Sequence, residues 1–215
     1  MKIFLNSFAP LCITPQGITA AATYSLPLFI DGSCRREPDF QNPNPAITQL
    51  CRPLKLVPRL SIGDLVIYIT KLGRYGTKLP HWKFIGILEV IDIQPDHNTA
   101  SLFYTSKSLP ISQNLMCPLT IPFPFNMTHG LCGFKPNGLS HSRIITLWNN
   151  GYQGRANDYP QVAITRTWEK QLFLVNPPII TREMMVRIFK RIPVTQNPPY
   201  VTDEEWAKFK HEMKI

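Results

Sequence analysis

A chain of 215 residues, 44% hydrophobic and 17% charged, can bury about 70% of the surface it would expose unfolded, so it needs neither disulfides nor a metal to be stable. Its 21 prolines, roughly twice the ~5% norm, are barred from helix interiors and central strands and so favour a β-rich architecture of short elements joined by rigid, extended loops. The formal charge of +9, from 23 Lys and Arg against 14 Asp and Glu, favours a polyanionic partner such as nucleic acid or a nucleotide.

Five cysteines (Cys12, Cys34, Cys51, Cys117 and Cys132) contain no CxxC pair, the pattern of reduced, unpaired thiols. The apolar start Ile3-Phe4-Leu5 is broken by Asn6, Ser7 and Pro10, which makes it too short for a secretory h-region. No run approaches the ~20 apolar residues of a membrane span. The expectation is a cytoplasmic protein with no membrane partner.

In chain order, residues 2–8 read as a first strand. Residues 14–58 are irregular and proline-rich, with a strand-like piece at 23–30 and a short helix at 45–51. So long a loop in a compact domain is functional more often than idle. Gly63-Asp64 makes a turn into the strand Leu65-Val66-Ile67-Tyr68-Ile69, and a polar loop over 71–83 leads into a second apolar strand over 84–93. In that second strand Phe84, Leu88 and Val90 share a parity, with Ile85, Ile87 and Ile91 opposite, so both faces are apolar. A turn at Asp96-His97-Asn98 leads to a third strand over 100–105, which completes an antiparallel meander. Residues 110–136 are again broken by prolines, 142–148 read as a strand, and 160–175 as a further extended segment. Thr181 is a helix N-cap for 182–190. Thr202 with Glu205 forms a capping box for a last helix over 203–214. The expectation is one domain over 1–215, with a C-terminal helical extension over about 180–215.

The N-terminal strand, the run Gly63-Asp64-Leu65-Val66-Ile67-Tyr68 and the run Phe84-Ile85-Gly86-Ile87-Leu88-Glu89-Val90 together resemble the PUA-like superfamily, with its EVE, ASCH and YTH branches. The opening Met1-Lys2-Ile3-Phe4-Leu5, the element Ser25-Leu26-Pro27-Leu28 and the run Phe103-Tyr104-Thr105-Ser106 are similar to the nucleotide-modification-associated domains of bacteria and phages. The resemblance covers about half the chain, concentrated in 1–105. It implies an α+β fold: a small curved PUA-like β-barrel with flanking helices, here with C-terminal helices and long proline-rich loops. It also implies a base-binding pocket ringed by basic residues, and a polar residue near the end of the first strand, Asn6 or Ser7, that reads the base.

Two segments carry candidate chemistry. The loop over 71–83 places Lys71, Arg74 and Lys78 as phosphate contacts beside Tyr75, His81 and Trp82 as base-stacking or base-contacting groups. In the second segment Arg143 and Arg155 are phosphate contacts, Trp148 or Tyr152 a stacking face, and Asn149 a reader of base edges. The alternative for both is a solvated loop with its tryptophan turned into the core. Cys117, His129, Cys132 and His141 lack the spacing of a zinc module, so no metal and no cofactor is expected. No GxSxG, P-loop, dinucleotide fingerprint or HExxH occurs. A catalytic residue is not identified, and an enzyme is the less favoured reading.

The leading function is therefore a binding module that takes a modified or flipped base into an aromatic pocket, with DNA favoured over RNA. The alternatives are an enzyme acting on modified nucleotides or DNA bases, as hydrolase or transferase, and a protein-interaction accessory domain. The last would dock a partner through the stripe of Trp206 and Phe209, for which packing on the barrel is the favoured alternative.

Overall fold

In the computed structural model, which describes residues 1–133, 137–192 and 197–215 and the backbone alone of Lys170 and Gln171, the strands read most directly from the sequence form the centre of a sheet. The elements run β1 (Ile3–Phe8), α1 (Pro15–Thr23), β2 (Ala46–Ile47), β3 (Leu65–Thr70), β4 (Trp82–Gln94), α2 (His97–Ser106), α3 (His141–Asp158), β5 (Val162–Leu172), β6 (Ile179–Ile180), α4 (Arg182–Phe189) and α5 (Asp203–Met213). Strand order is β1-β3-β4-β5-β2, with β6 also paired to β4. β1 lies parallel to β3, with Ile3 opposite Leu65 and Phe8 opposite Thr70; the other pairings are antiparallel. The α+β class, a mixed sheet flanked by helices, is as expected, and β1 and β2 are the two ends of the sheet.

Parallel neighbours cannot be joined by a tight turn; they need a crossover of a dozen residues or more. Residues 9–64 are that crossover, which is why the long irregular segment exists.

One face of the sheet (Ile3, Leu5, Ile67, Phe84 and Ile87) packs on Met185, Ile188 and Phe189 of α4 and on Trp206 and Phe209 of α5. The other (Phe4, Phe8, Tyr68, Ile85, Leu88 and Val90) packs under Phe29, Phe40 and Leu56 of the crossover. Both faces of β4 are thus apolar, as expected, but the parity differs. Phe84 and Ile87 share one face, and Ile85, Leu88 and Val90 the other. The register shifts at Tyr68/Ile69 and at Gly86/Leu88, and a bulge that inserts one residue turns every following side chain over and bends the strand.

Four local expectations are corrected. Residues 23–30 are not a strand: the helix α1 precedes them, capped by Thr14, whose hydroxyl accepts from the Gly17 N–H at 3.1 Å. Pro15 at its first position suits a helix start. Within 45–51 there is no helix; Ala46 and Ile47 pair with β5 as β2. The segments 100–105 and 142–148 belong to helices. Asp96 accepts from the Thr99 N–H at 2.8 Å to start α2, and Ser140 from the Arg143 N–H at 3.3 Å to start α3. Aromatic and β-branched residues mimic strand composition, but burial of Ala100 with Tyr104, and of Ile144, Trp148, Tyr152 and Ala156, follows the four-residue step of a helix. The third strand of the meander is therefore β5, antiparallel to β4.

The C-terminal reading holds: Thr181 caps α4 and the Thr202–Glu205 capping box starts α5. Trp206 and Phe209 are spent on the core. No described helix is long and apolar enough to cross a membrane. Because α5 closes one face of the sheet, Phe209→Ala should cost about 3–5 kcal/mol and Thr202→Ala about 1 kcal/mol in denaturant unfolding. Equal, small effects would show that the helix is a loosely held appendage.

Candidate functional site

The run Asp31-Gly32-Ser33-Cys34-Arg35-Arg36-Glu37-Pro38-Asp39-Phe40 is buried throughout, although five of its residues are charged. Burying charge is costly unless the groups find partners; here most do, the Arg36 Nε being the exception. The Arg36 guanidinium, 2% exposed, donates to the carbonyls of Asp31 (2.8 Å), Ser33 (3.2 Å) and Met127 (2.7 Å), and lies 4.6 Å from the Phe123 ring centre. Arg35 donates to Asn149 Oδ1 (2.8 Å) and Thr120 Oγ1 (3.0 Å). Glu37 accepts from the Thr48 N–H (2.9 Å), the Thr48 hydroxyl and Asn114 Nδ2 (2.8 Å). Asp39 accepts from the Gln113 N–H at 3.1 Å. The crossover is thereby laced to the loop over 112–128 and to α3.

Gly32 makes a close approach possible. A Cβ there would lie 2.2 Å from the His129 ring, which in turn stacks on Trp148 with centroids 5.9 Å apart and planes at 21°.

These elements enclose an open recess of about 630 Å³. Its buried lining includes Asp31, Ser33, Glu37, His129, Trp148 and Tyr152, with Cys51 and Arg52 beside them; exposed Lys55, Lys71 and Arg155 line it toward solvent. Arg52 donates to Asn6 Oδ1 and to the Ser7 carbonyl at the end of β1. Arg155 donates to the Leu50 carbonyl and its guanidinium lies 5.7 Å from the Tyr152 ring centre.

Burial sets the protonation states. It raises Asp31 above the ordinary carboxyl value and lifts Glu37 to about 7, the charge of Asp31 adding to the latter. Desolvation holds His129 down to about 4, helped by Arg36 and Lys71, so its ring is neutral at pH 7. Cys51 is exposed within the open recess, yet the surrounding protein and the nearby Asp31 and Glu37 push its thiol up to about 12. It stays a thiol and is poorly suited to nucleophilic attack.

The structure places the sequence candidates as follows. Lys71, Trp148 and Arg155 line the recess. Asn6 and Ser7 stand behind it as partners of Arg52, and Asn149 as a partner of Arg35. Trp82, 3% exposed, belongs to the core on the opposite face of the sheet, against Ile180 and the C-terminal helices, so its ring has no surface to offer a base. His81 is buried and packs against Tyr75, whose ring also meets Phe29. Arg74, Lys78 and Arg143 are exposed away from the recess lining. Cys117 lies in a separate core cluster and His141 packs on Phe125, while His129 and Cys132 line the recess. Among the described residues no group of three or more His, Cys, Asp or Glu is placed to hold a metal ion. Pro136, the end of the second proline-broken stretch, lies outside the described residues.

Sequence reasoning missed Asp31, Ser33, Glu37, Cys51, Arg52 and Lys55. The available signal was five charged residues within 31–39 of a chain that is only 17% charged, set in a segment with neither helical nor strand period.

No family model matches the chain, and no curated protein matches it. Among solved structures, ASCH from Zymomonas mobilis is similar over 98% of this chain and 94% of that one, at 13% sequence identity and a TM-score of 0.40.

Two outcomes test the site's construction. Arg36→Met strips the donor from three buried carbonyls and leaves nearby carboxyls uncompensated, so it should cost about 3–5 kcal/mol; a loss under about 1 kcal/mol would show that the loops do not depend on it. The second is a pH dependence. His97 and His129, both near 4 when folded against 6.5 ordinarily, lower stability as pH falls through 6.5. Glu37, raised from 4.5 to about 7, binds its proton more tightly when folded, so its contribution is lost as pH rises through 7. Between pH 6.5 and 8 the two histidines, half protonated at pH 6.5 when unfolded, offset the Glu37 effect. That effect is therefore read as the difference in unfolding free energy between wild type and Glu37→Gln, which should fall by roughly 1 kcal/mol over that window. A flat or rising difference contradicts a buried Glu37.

Proposed function

We propose that the recess receives one base of a nucleic acid or nucleotide, base inward and phosphate outward. The observation that carries this reading is the order of charge along the recess. Asp31 and Glu37 lie at its buried end, Trp148 and Tyr152 form an aromatic wall, and Lys55, Lys71 and Arg155 stand toward solvent. Phosphate is repelled from the acidic end and attracted to the cationic one, while a planar base can lie against the aromatic wall. A base must leave its stack to enter such an enclosure, so single-stranded or flipped nucleotides are the ligands. The volume leaves space for a substituent, in keeping with a modified base, and the resemblance to nucleotide-modification-associated domains favours DNA over RNA.

A second reading, an enzyme acting on a modified nucleotide, is favoured by one specific observation. Glu37, titrating near neutrality beside Asp31, is the kind of carboxyl pair that can supply a general acid and a general base. Hydrolysis would consume one water, and nucleoside analysis of modified DNA after incubation would show a new nucleoside; unchanged nucleosides would leave binding as the activity.

Binding of single-stranded DNA should weaken steeply with salt, and Lys55→Ala or Lys71→Ala should each lower the slope of log affinity against log salt by about 1. Lys78→Ala and Arg143→Ala, outside the recess, should leave that slope nearly unchanged. Absence of affinity for single-stranded DNA, RNA and mononucleotides at low salt would end this proposal, and equal effects of all four substitutions would move the ligand elsewhere.

A further inference from the structure

Resting on the base-inward reading, we infer that the recess selects a base by an inner edge that carries two adjacent N–H donors, the edge guanine presents through its ring N–H and 2-amino group. Asp31 and Glu37 are 4% and 8% exposed and both line the recess. Their charges reach its other lining groups: after burial, the Cys51 thiol is pushed up by Asp31 and Glu37, and the Tyr152 hydroxyl by Cys51 and Asp31. As lining residues, Asp31 and Glu37 are among those a ligand entering the recess would meet.

A carboxylate accepts only, at about four positions. Thr48 and Asn114 occupy three positions on Glu37, which fixes the carboxyl and leaves acceptor capacity on it. Asp31 Oδ1 accepts from the Ser33 N–H at 2.8 Å, and the Ser33 hydroxyl and the Glu37 N–H also act on this carboxyl, which fixes it and leaves, as on Glu37, about one acceptor position. The charge of Arg36 partly compensates Asp31, but no described hydrogen bond from Arg35 or Arg36 occupies an acceptor position on either carboxyl. Arg36 spends its donors on the carbonyls of Asp31, Ser33 and Met127, and Arg35 is turned toward Asn149 and Thr120.

Above the titration of Glu37 near 7 the Glu37 carboxylate is an anchored acceptor at the floor, with the Asp31 carboxyl beside it. Thymine and uracil bring a single N–H flanked by two carbonyl oxygens, and adenine and cytosine bring one amino group beside a ring nitrogen that is itself an acceptor. Each of these sets an acceptor against an acceptor. Guanine's adjacent donors do not, and a buried acceptor left without its donor is the costly outcome.

The test is fluorescence anisotropy at pH 8 and low salt with labelled pentanucleotides of thymidine that differ only in the central base. The guanine-centred strand should bind about tenfold tighter than the adenine-, cytosine- and thymine-centred ones. Asp31→Asn keeps an oxygen for the Ser33 N–H but turns a donor toward the ligand. It should bring the four strands within about twofold of one another while leaving the salt slope unchanged. Equal affinity of wild type for all four strands, or preference for any other centre, overturns the edge selection and leaves the base-inward site standing. Absence of binding to all four overturns both. A guanine preference that survives intact in a folded Asp31→Asn protein, verified by its thermal melt, overturns the assignment to this floor.

Discussion

The structure depends on keeping charged groups of the crossover out of water. Residues 31–39 bury two guanidinium groups and three carboxyls, and each needs partners that the segment alone does not supply. Arg36 finds its outer partner in the Met127 carbonyl, Arg35 in Thr120 and Asn149, and Glu37 in Thr48 and Asn114. Satisfying the charges therefore brings the 112–128 loop and α3 onto the crossover, and the recess is the space left between them. Such a network is high-stakes, since a low-dielectric interior penalises any member left alone.

The same constraint organises the electrostatics of the recess. Desolvation keeps Glu37 titrating near neutrality, Cys51 as a thiol and His129 as a neutral ring, so the inner end is polar without carrying the net positive charge of the surface. The cations that remain well hydrated, Lys55, Lys71 and Arg155, stand toward the outside. On the proposed reading, a dispersed charge of +9 becomes a local field with direction, one that would steer an anionic ligand to one orientation.

How much was legible differs by element. β1, β3 and β4 and the two C-terminal helices follow from apolar runs and capping residues that act over a few positions, and Thr202 with Glu205 performs its reciprocal cap as the spacing requires. The helices α2 and α3 were hidden because their buried faces are built from aromatic and β-branched residues, whose composition imitates strands. Asp96 and Ser140, which decide the matter as N-caps, also occur commonly in turns. Of the candidate residues, Lys71, Trp148 and Arg155 reach the recess, whereas Trp82 is directed to the opposite face of the sheet. A bulge near Gly86 reassigns faces along β4, and no reading of strict alternation anticipates one inserted residue.

From the sequence alone came the α+β character, the aliphatic centre of the sheet, the capped C-terminal helices and a cationic surface, because each rests on local periodicity, local capping or simple summed charge. Which cations gather around one opening, which aromatic rings are sealed in the core and which line the recess, and that the charged run at 31–39 is buried, were decided only in the tertiary structure. The physical reason is that desolvation and pairing are properties of neighbours in space. Arg35 and Asn149 are separated by 114 positions along the chain, and no pattern within either segment specifies that the two will meet.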